Sequence, residues 1–338
     1  MQQHIIYAKS VIFFKKFLKI FVPLLFGLFV FWLIFKQLDL EEVLTILRKD
    51  VNFWIIALSL PFGLFGNIMR AYRWRLLILP LGYNPKKSNL IYSFLGNYAV
   101  NLAIPRLGEV WRCTMISRHE KIPFSVLIGT MITDRVFDFV PIALIVIAAF
   151  VLNVSYFTNF YAQNSGMFDF FYELSTSVWI YVIIAIIGII VWFCFVFLKE
   201  KAFMQKTKLT LLSMWEGIIS INRMKDKWMF IFYTFLIWFG YFLYFYICFY
   251  AFPFTRDLGW NCGLIAFGIS SIAVIIPVQA GLGPWHGAII AVLVGFGVSS
   301  SEAWAFAFCV HTIQAIIFTA ITGVFGIIAL SIVNKRES

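Results

Sequence analysis

Twenty-two of the 27 Lys and Arg residues in this chain fall in five segments, and apolar runs of membrane-crossing length lie between them. The segments are 1–19, 70–87, 105–121, 199–227 and the tail with Lys335 and Arg336. Lys and Arg flanking apolar runs mark the cytoplasmic side of a membrane protein. Placing all five segments on that side sets the topology, and it forbids some apolar runs from crossing. Composition agrees: the chain is 62% hydrophobic and 13% charged, against roughly 45–50% and about 25% for a soluble domain. Such a surface belongs in lipid. The net charge of +11 is then read as loops facing anionic headgroups, and no nucleic-acid partner is expected.

A spanning helix takes about 20 largely apolar residues. Six stretches qualify, at about 17–35, 51–69, 125–152, 177–198, 228–252 and 302–330. The first is longer than the ~7–15 residues of a signal-peptide core and lacks its cleavage site, so it is read as an uncleaved helix. With both termini in the cytoplasm, loops 36–50 and 153–176 fall outside; the latter has no Lys or Arg. Two further apolar stretches are broken. Residues 88–104 contain Gly96, Asn97 and Asn101 and end at Pro105; if they crossed, 105–121 and 199–227 could not both be cytoplasmic. A re-entrant hairpin over 88–121 removes the conflict. Irregular backbone at that depth is tolerated where it is buried in protein or lines a wet cavity.

The second half repeats the pattern. Residues 261–276 are apolar, break at Pro277-Val-Gln-Ala-Gly-Leu-Gly-Pro284, and resume over 284–298. Pro277 follows Pro105 by 172 residues, close to half of 338. Each half reads span, span, hairpin, span, so the second is inverted relative to the first. The expected fold is an all-α polytopic membrane protein of six spans and two re-entrant hairpins. It forms one domain over 1–338, with half-repeats of about 17–152 and 177–330. Interrupted segments at matching positions of an inverted repeat point to a midplane binding site. Outside these parts, residues 39–49 predict an amphipathic helix on the outer surface. Residues 203–222 read as another such helix on the cytoplasmic face or as a plain linker.

Two charged constellations stand out. Arg106, Glu109 and Arg112 sit at i, i+3, i+6, so one carboxylate could hold two guanidinium groups. Pro105 suits a helix start, where unpaired N–H groups favour an anion, and the guanidinium fork matches phosphate or carboxylate. Anchoring of the hairpin at the lipid interface is the plainer role. Asp134, Arg135 and Asp138 lie within an apolar span, where ionisable residues normally face the bundle interior. They could form a salt bridge locking hairpin to helix, an anion site that exchanges carboxylate for phosphate, or both. In the second half, Pro277, Gln279, Gly281, Gly283, His286, His311 and Gln314 are the candidate lining of a cavity. The two histidines could titrate. No metal-ligand spacing and no cofactor motif is present, and Cys113, Cys194, Cys248, Cys262 and Cys309 read as buried small hydrophobes.

Pro105-x-x-Gly-Glu-x-x-Arg112, Asp134-Arg135-x-x-Asp138 and Pro277-x-x-x-Gly281-Leu-Gly283 together resemble the flippase-like membrane-domain family. That family is named after the transmembrane region of lysylphosphatidylglycerol synthase, the multiple peptide resistance factor. The resemblance covers roughly 17–330 and implies lipid translocation in the cytoplasmic membrane, with an anionic phospholipid or a polyprenyl-phosphate lipid as partner. Two departures matter: there is no room for the soluble aminoacyl-transfer domain, and His286 stands where relatives often carry Glu. A non-transporting lipid-binding scaffold is the alternative, and a homo-oligomer is left open. An intramembrane enzyme would need a nucleophile–base pair or metal site, and nothing beyond the carboxylates qualifies.

Overall fold

A computed structural model describes residues 40–163, 225–276 and 278–335, with isolated positions between 177 and 186. The expected span at 17–35 and the amphipathic stretch at 203–222 lie outside the described residues, and that at 177–198 does almost wholly. The described part is helical. Residues up to Ala149 and from Lys225 onward make one compact unit, and Phe150–Met224 make another.

In the first unit, α1 (Leu40–Lys49) is followed by α2 (Phe53–Ile78), which continues through a 3-10 turn to Leu81. The first hairpin is α3 (Lys87–Ala103) and α4 (Leu107–Glu120), and α5 is Phe124–Leu152. Near 150 the chain passes into the second unit, where α6 (Val154–Gln163) opens a stretch expected to be loop; Phe150 and Phe157 pack at 5.1 Å there. In the second half α7 (Lys227–Tyr246) runs on as a 3-10 turn to Ala251, and a one-turn α8 (Pro253–Arg256) follows. The second hairpin is α9 (Gly259–Ala273) and α10 (Pro284–Gly295). The final rod is α11 (Ser300–His311), a π-helical segment Thr312–Phe318 and α12 (Thr319–Lys335).

Among the described residues, four continuous helical rods are long and apolar enough to cross a membrane: Phe53–Leu81, Phe124–Leu152, Lys227–Ala251 and Ser300–Lys335. They answer to four of the expected spans. The hairpin limbs differ in kind. At 1.5 Å per residue α3 is about 25 Å long and α10 about 18 Å, short of a ~30 Å hydrocarbon core. Arg106, with φ of 65°, turns the chain between α3 and α4. Asn101 of α3 accepts the Gly108 N–H at 2.7 Å, which satisfies a helix-start donor that the sequence suggested for an anion.

Small residues let these helices approach. Gly108 lies so close to the Asn97 carbonyl that a Cβ would overlap it, and a Cβ on Gly96 would come within 2.5 Å of the Trp111 ring. Gly323 and Gly326 of α12 bring that helix onto the backbone of α3 at Ala99, Leu95 and Tyr92. Gly63 and Gly66 of α2 seat Tyr244 and Tyr241 of α7. Lipid tails are as apolar as leucine, so close packing rather than hydrophobicity holds such helices together.

The ends of the bundle are tied separately. At one, Asn52 N donates to Ala251 O at 2.9 Å, and Val43 of α1 is buried against Trp304 and Ala305 of α11. Helix α1 carries Glu41 and Glu42 in its first turn and Arg48 and Lys49 in its last, matching the helix dipole. At the other end Asn89 donates to Glu120 at 2.6 Å and exchanges hydrogen bonds with Asn334, joining hairpin and final rod.

Candidate functional site

Helix α5 shows why its charges fold inward. Phe139, Val140, Leu144 and Ile147 are exposed, as suits a lipid-facing stripe, while Asp134 is fully buried and Asp138 nearly so. Their counter-charges come from α2. Sequence reasoning placed Arg70 and Arg73 in a solvated basic loop, and the structure corrects this. Helix α2 continues to Ile78, Arg73 is 0% exposed and Arg70 is 5% exposed. The two sit at i, i+3, so both meet α5. The available signal was the absence of a helix breaker between Arg70 and Pro80. The pattern of basic residues after an apolar run hid it.

Arg73 makes the tightest pairing. Its Nε donates to Asp134 Oδ1 at 2.8 Å, and its Nη2 donates to Asp138 Oδ1 at 2.7 Å and to the Asp134 carbonyl at 3.1 Å. Arg70 donates from Nη1 to Asp138 Oδ2 at 2.8 Å and from Nε to the Tyr241 hydroxyl at 2.9 Å. Tyr241 in turn donates to Asn67 at 2.8 Å and lies 3.3 Å from the Tyr98 hydroxyl. Arg73 Nη1 also donates to Thr234 Oγ1 at 3.3 Å, and Asn67, Arg70, Arg73, Tyr98, Thr234 and Tyr241 were all missed by sequence reasoning.

Of the sequence-derived candidates, Glu109 meets Arg135 at 3.6 Å, and Arg135 meets Asp138 at 3.5 Å, so hairpin and α5 are joined by a loose ion pair. Both side chains of the Glu109–Arg135 pair keep some exposure, 13% and 30%. The expectation that Glu109 would hold both Arg106 and Arg112 is corrected. Its other oxygen accepts from Asn101 at 3.1 Å, while the exposed Arg106 reaches the second hairpin, donating to Ile275 O at 3.3 Å. The two hairpin tips therefore touch.

Arg112 is fully buried. Its guanidinium carbon lies 3.8 Å from the Phe94 ring centre and 4.2 Å from that of Trp74, while the Trp74 indole N–H donates to Thr130. None of its three nitrogens finds a hydrogen-bond acceptor among the described residues. Both side-chain polar atoms of buried Asn97 and one oxygen of Asp134 are likewise unsatisfied. Among the described residues, Arg70, Arg73 and Arg135 pair with Glu109, Asp134 and Asp138 while Arg112 packs on Trp74, so these seven groups carry one positive charge in excess.

The second-half candidates form another group. The His286 and His311 rings are 4.4 Å apart and buried, and His311 Nε2 lies 2.8 Å from Ala280 O. Gln314, in the π-helical segment, donates to Ser59 Oγ at 2.8 Å and to Tyr244 O at 2.6 Å, while the Tyr244 hydroxyl donates to Gln314 O. Gly281 and Gly283 both have positive φ, which the break requires. Gln279 begins the 3-10 turn of that break, and Pro277 lies outside the described residues.

Together, the four membrane-length rods, two interrupted hairpins and buried ionic cluster of the described residues define a polytopic α-helical membrane protein. The chain belongs to the family described as the lysylphosphatidylglycerol synthase TM region, matched over residues 20–322. It is similar to a UPF0104 membrane protein of Methanocaldococcus jannaschii, 26% identical over 125 residues, or 35% of this chain and 37% of that protein. No solved structure matches.

Proposed function

We propose that the protein translocates a phosphate-bearing lipid across the cytoplasmic membrane, binding its headgroup at Arg112 and Arg135. Segments 105–121 and 199–227 and both termini lie in the cytoplasm in this reading, and the two halves act as an inverted repeat. Arg112 carries the argument. A buried charge without a partner is strongly destabilising, by about 3–5 kcal/mol when an ion pair is broken, and an anionic occupant offsets that. The charge excess of the cluster sets the sign of the ligand. The loose Glu109–Arg135 contact is the exchange point, since a phosphate can take a guanidinium from a carboxylate held at 3.6 Å more readily than from one held at 2.8 Å. Exposed Val110 and Ile276 near the tips offer apolar surface to acyl or prenyl chains.

Proteoliposomes holding fluorescent phosphatidylglycerol test this by dithionite quenching, which counts lipid reaching the outer leaflet. Arg112→Lys should weaken binding and transport although charge is kept, because the planar fork is lost. Arg112→Ala should weaken both further, and Lys121→Ala, at an exposed position, should do little. Unchanged binding and transport in Arg112→Ala would leave a structural ion cluster. Lipid binding without movement would favour a non-transporting scaffold.

A further inference from the structure

His286 and His311 are the buried ionisable pair that the anion site does not use. They come from different helices, α10 and α11, and their rings meet at 4.4 Å. Ala280 O can only accept, so the neutral His311 carries its proton on Nε2 and presents Nδ1 as a base. The surroundings suit one cation. The Trp285 ring lies 5.2 Å from His311 and 5.5 Å from His286, and Trp304 lies 6.4 Å from His286. Indole faces attract an imidazolium, and the bond to Ala280 O strengthens when its donor is charged. Two charges at this separation repel, so a second proton is excluded.

Among the described residues, the titratable groups on the neighbouring helices are Tyr244 and Cys248 of α7, both bonded at Gln314, Cys262 of α9 and Cys309 of α11. Glu42 of α1 is held by Ser301, and Glu302 by the Ser299 cap. From the first hairpin, Arg106 reaches the same break at Ile275. The acceptor Ala280 is a non-glycine residue with φ of 51°, a conformation that a stronger hydrogen bond helps to retain. Immediately after His311 the final rod becomes π-helical, a distortion that often marks functional sites.

We propose that His286 and His311 form a site for a single proton, which serves as the coupling ion of the translocator by holding or releasing the second hairpin break. The coupling rests on the lipid-translocation reading; the proton site does not. Ala280 and Ile275 belong to the same break, and Arg106, bonded to Ile275 O, ties that break to the first hairpin.

The test uses the full chain in nanodiscs, with His4 and His119 replaced by Gln so that the pair alone remains. Tryptophan emission, which a protonated imidazole quenches, should follow pH with a one-proton slope. The change should vanish in His286→Gln and in His311→Gln and shrink in Trp285→Phe. Should those variants not fold, NMR of isotope-labelled histidine in the parent protein decides, with one imidazolium per pair expected. A two-proton slope, no transition between pH 4 and 8 (roughly the range of histidine), or a transition that survives both substitutions overturns the site. In proteoliposomes, an imposed pH gradient should change phosphatidylglycerol movement several-fold, and His311→Gln should abolish the dependence while leaving binding at Arg112. Movement indifferent to the gradient overturns the coupling alone. No movement under any condition overturns both the coupling and the translocator reading, and leaves the proton site to the emission result.

Discussion

Replacing Arg73 with Met should be among the most destabilising single changes in the protein. The side chain is fully buried, and its removal strips Asp134 of its hydrogen bonds from Nε at 2.8 Å and Nη2 at 3.1 Å. Asp134 has no second guanidinium among the described residues, and its Oδ2 is already unsatisfied. Asp138 fares better, keeping Arg70 at 2.8 Å and Arg135 at 3.5 Å. The dominant cost is therefore one orphaned buried carboxylate, about 3–5 kcal/mol. Asp134→Leu should cost a similar amount by orphaning part of Arg73. Since the double replacement leaves neither charge, it should cost at least ~2 kcal/mol less than the sum of the singles, roughly a 30-fold difference in the unfolding constant. Detergent-induced unfolding in mixed micelles, read by maleimide labelling of buried Cys113, measures all four corners of this cycle. Additivity within ~0.5 kcal/mol, or a single-mutant cost below ~1 kcal/mol, would refute the argument that this pair holds α2 to α5.

Three further outcomes are expected. Single cysteines at Ser117 and Lys121 should resist an external membrane-impermeant reagent while one at Ser155 reacts; external labelling at Lys121 would overturn the hairpin topology. Gly108→Ala should cost about 1–3 kcal/mol in the same unfolding assay, because the new methyl meets the Asn97 carbonyl and the Asn101 cap. Gln314→Leu, which leaves Ser59 without its amide donor and Tyr244 O without its side-chain donor, should cost about 1–3 kcal/mol without changing lipid binding at Arg112.

The sequence by itself determined where the chain meets lipid. Apolar length, flanking Lys and Arg, and the Pro and Gly breaks are local, additive quantities. They placed four described spans and both interrupted hairpins, and they singled out Asp134 and Asp138 as inward-facing. Only the tertiary structure decided who pairs with whom. Arg70 and Arg73 looked like loop charges because their partners lie 61–68 residues away on another helix. Arg106 looked like a partner of Glu109 by helical spacing, yet φ of 65° at the turn sends it across to Ile275. Arg112 looked like a member of the same ladder, and packing turned it onto Trp74 and Phe94 instead. Hydropathy is written along the chain, whereas an ion pair depends on the rotation and closeness of two helices. Those were set by contacts such as Gly108 on Asn97 and Gly323 on Ala99, which become neighbours only in the fold.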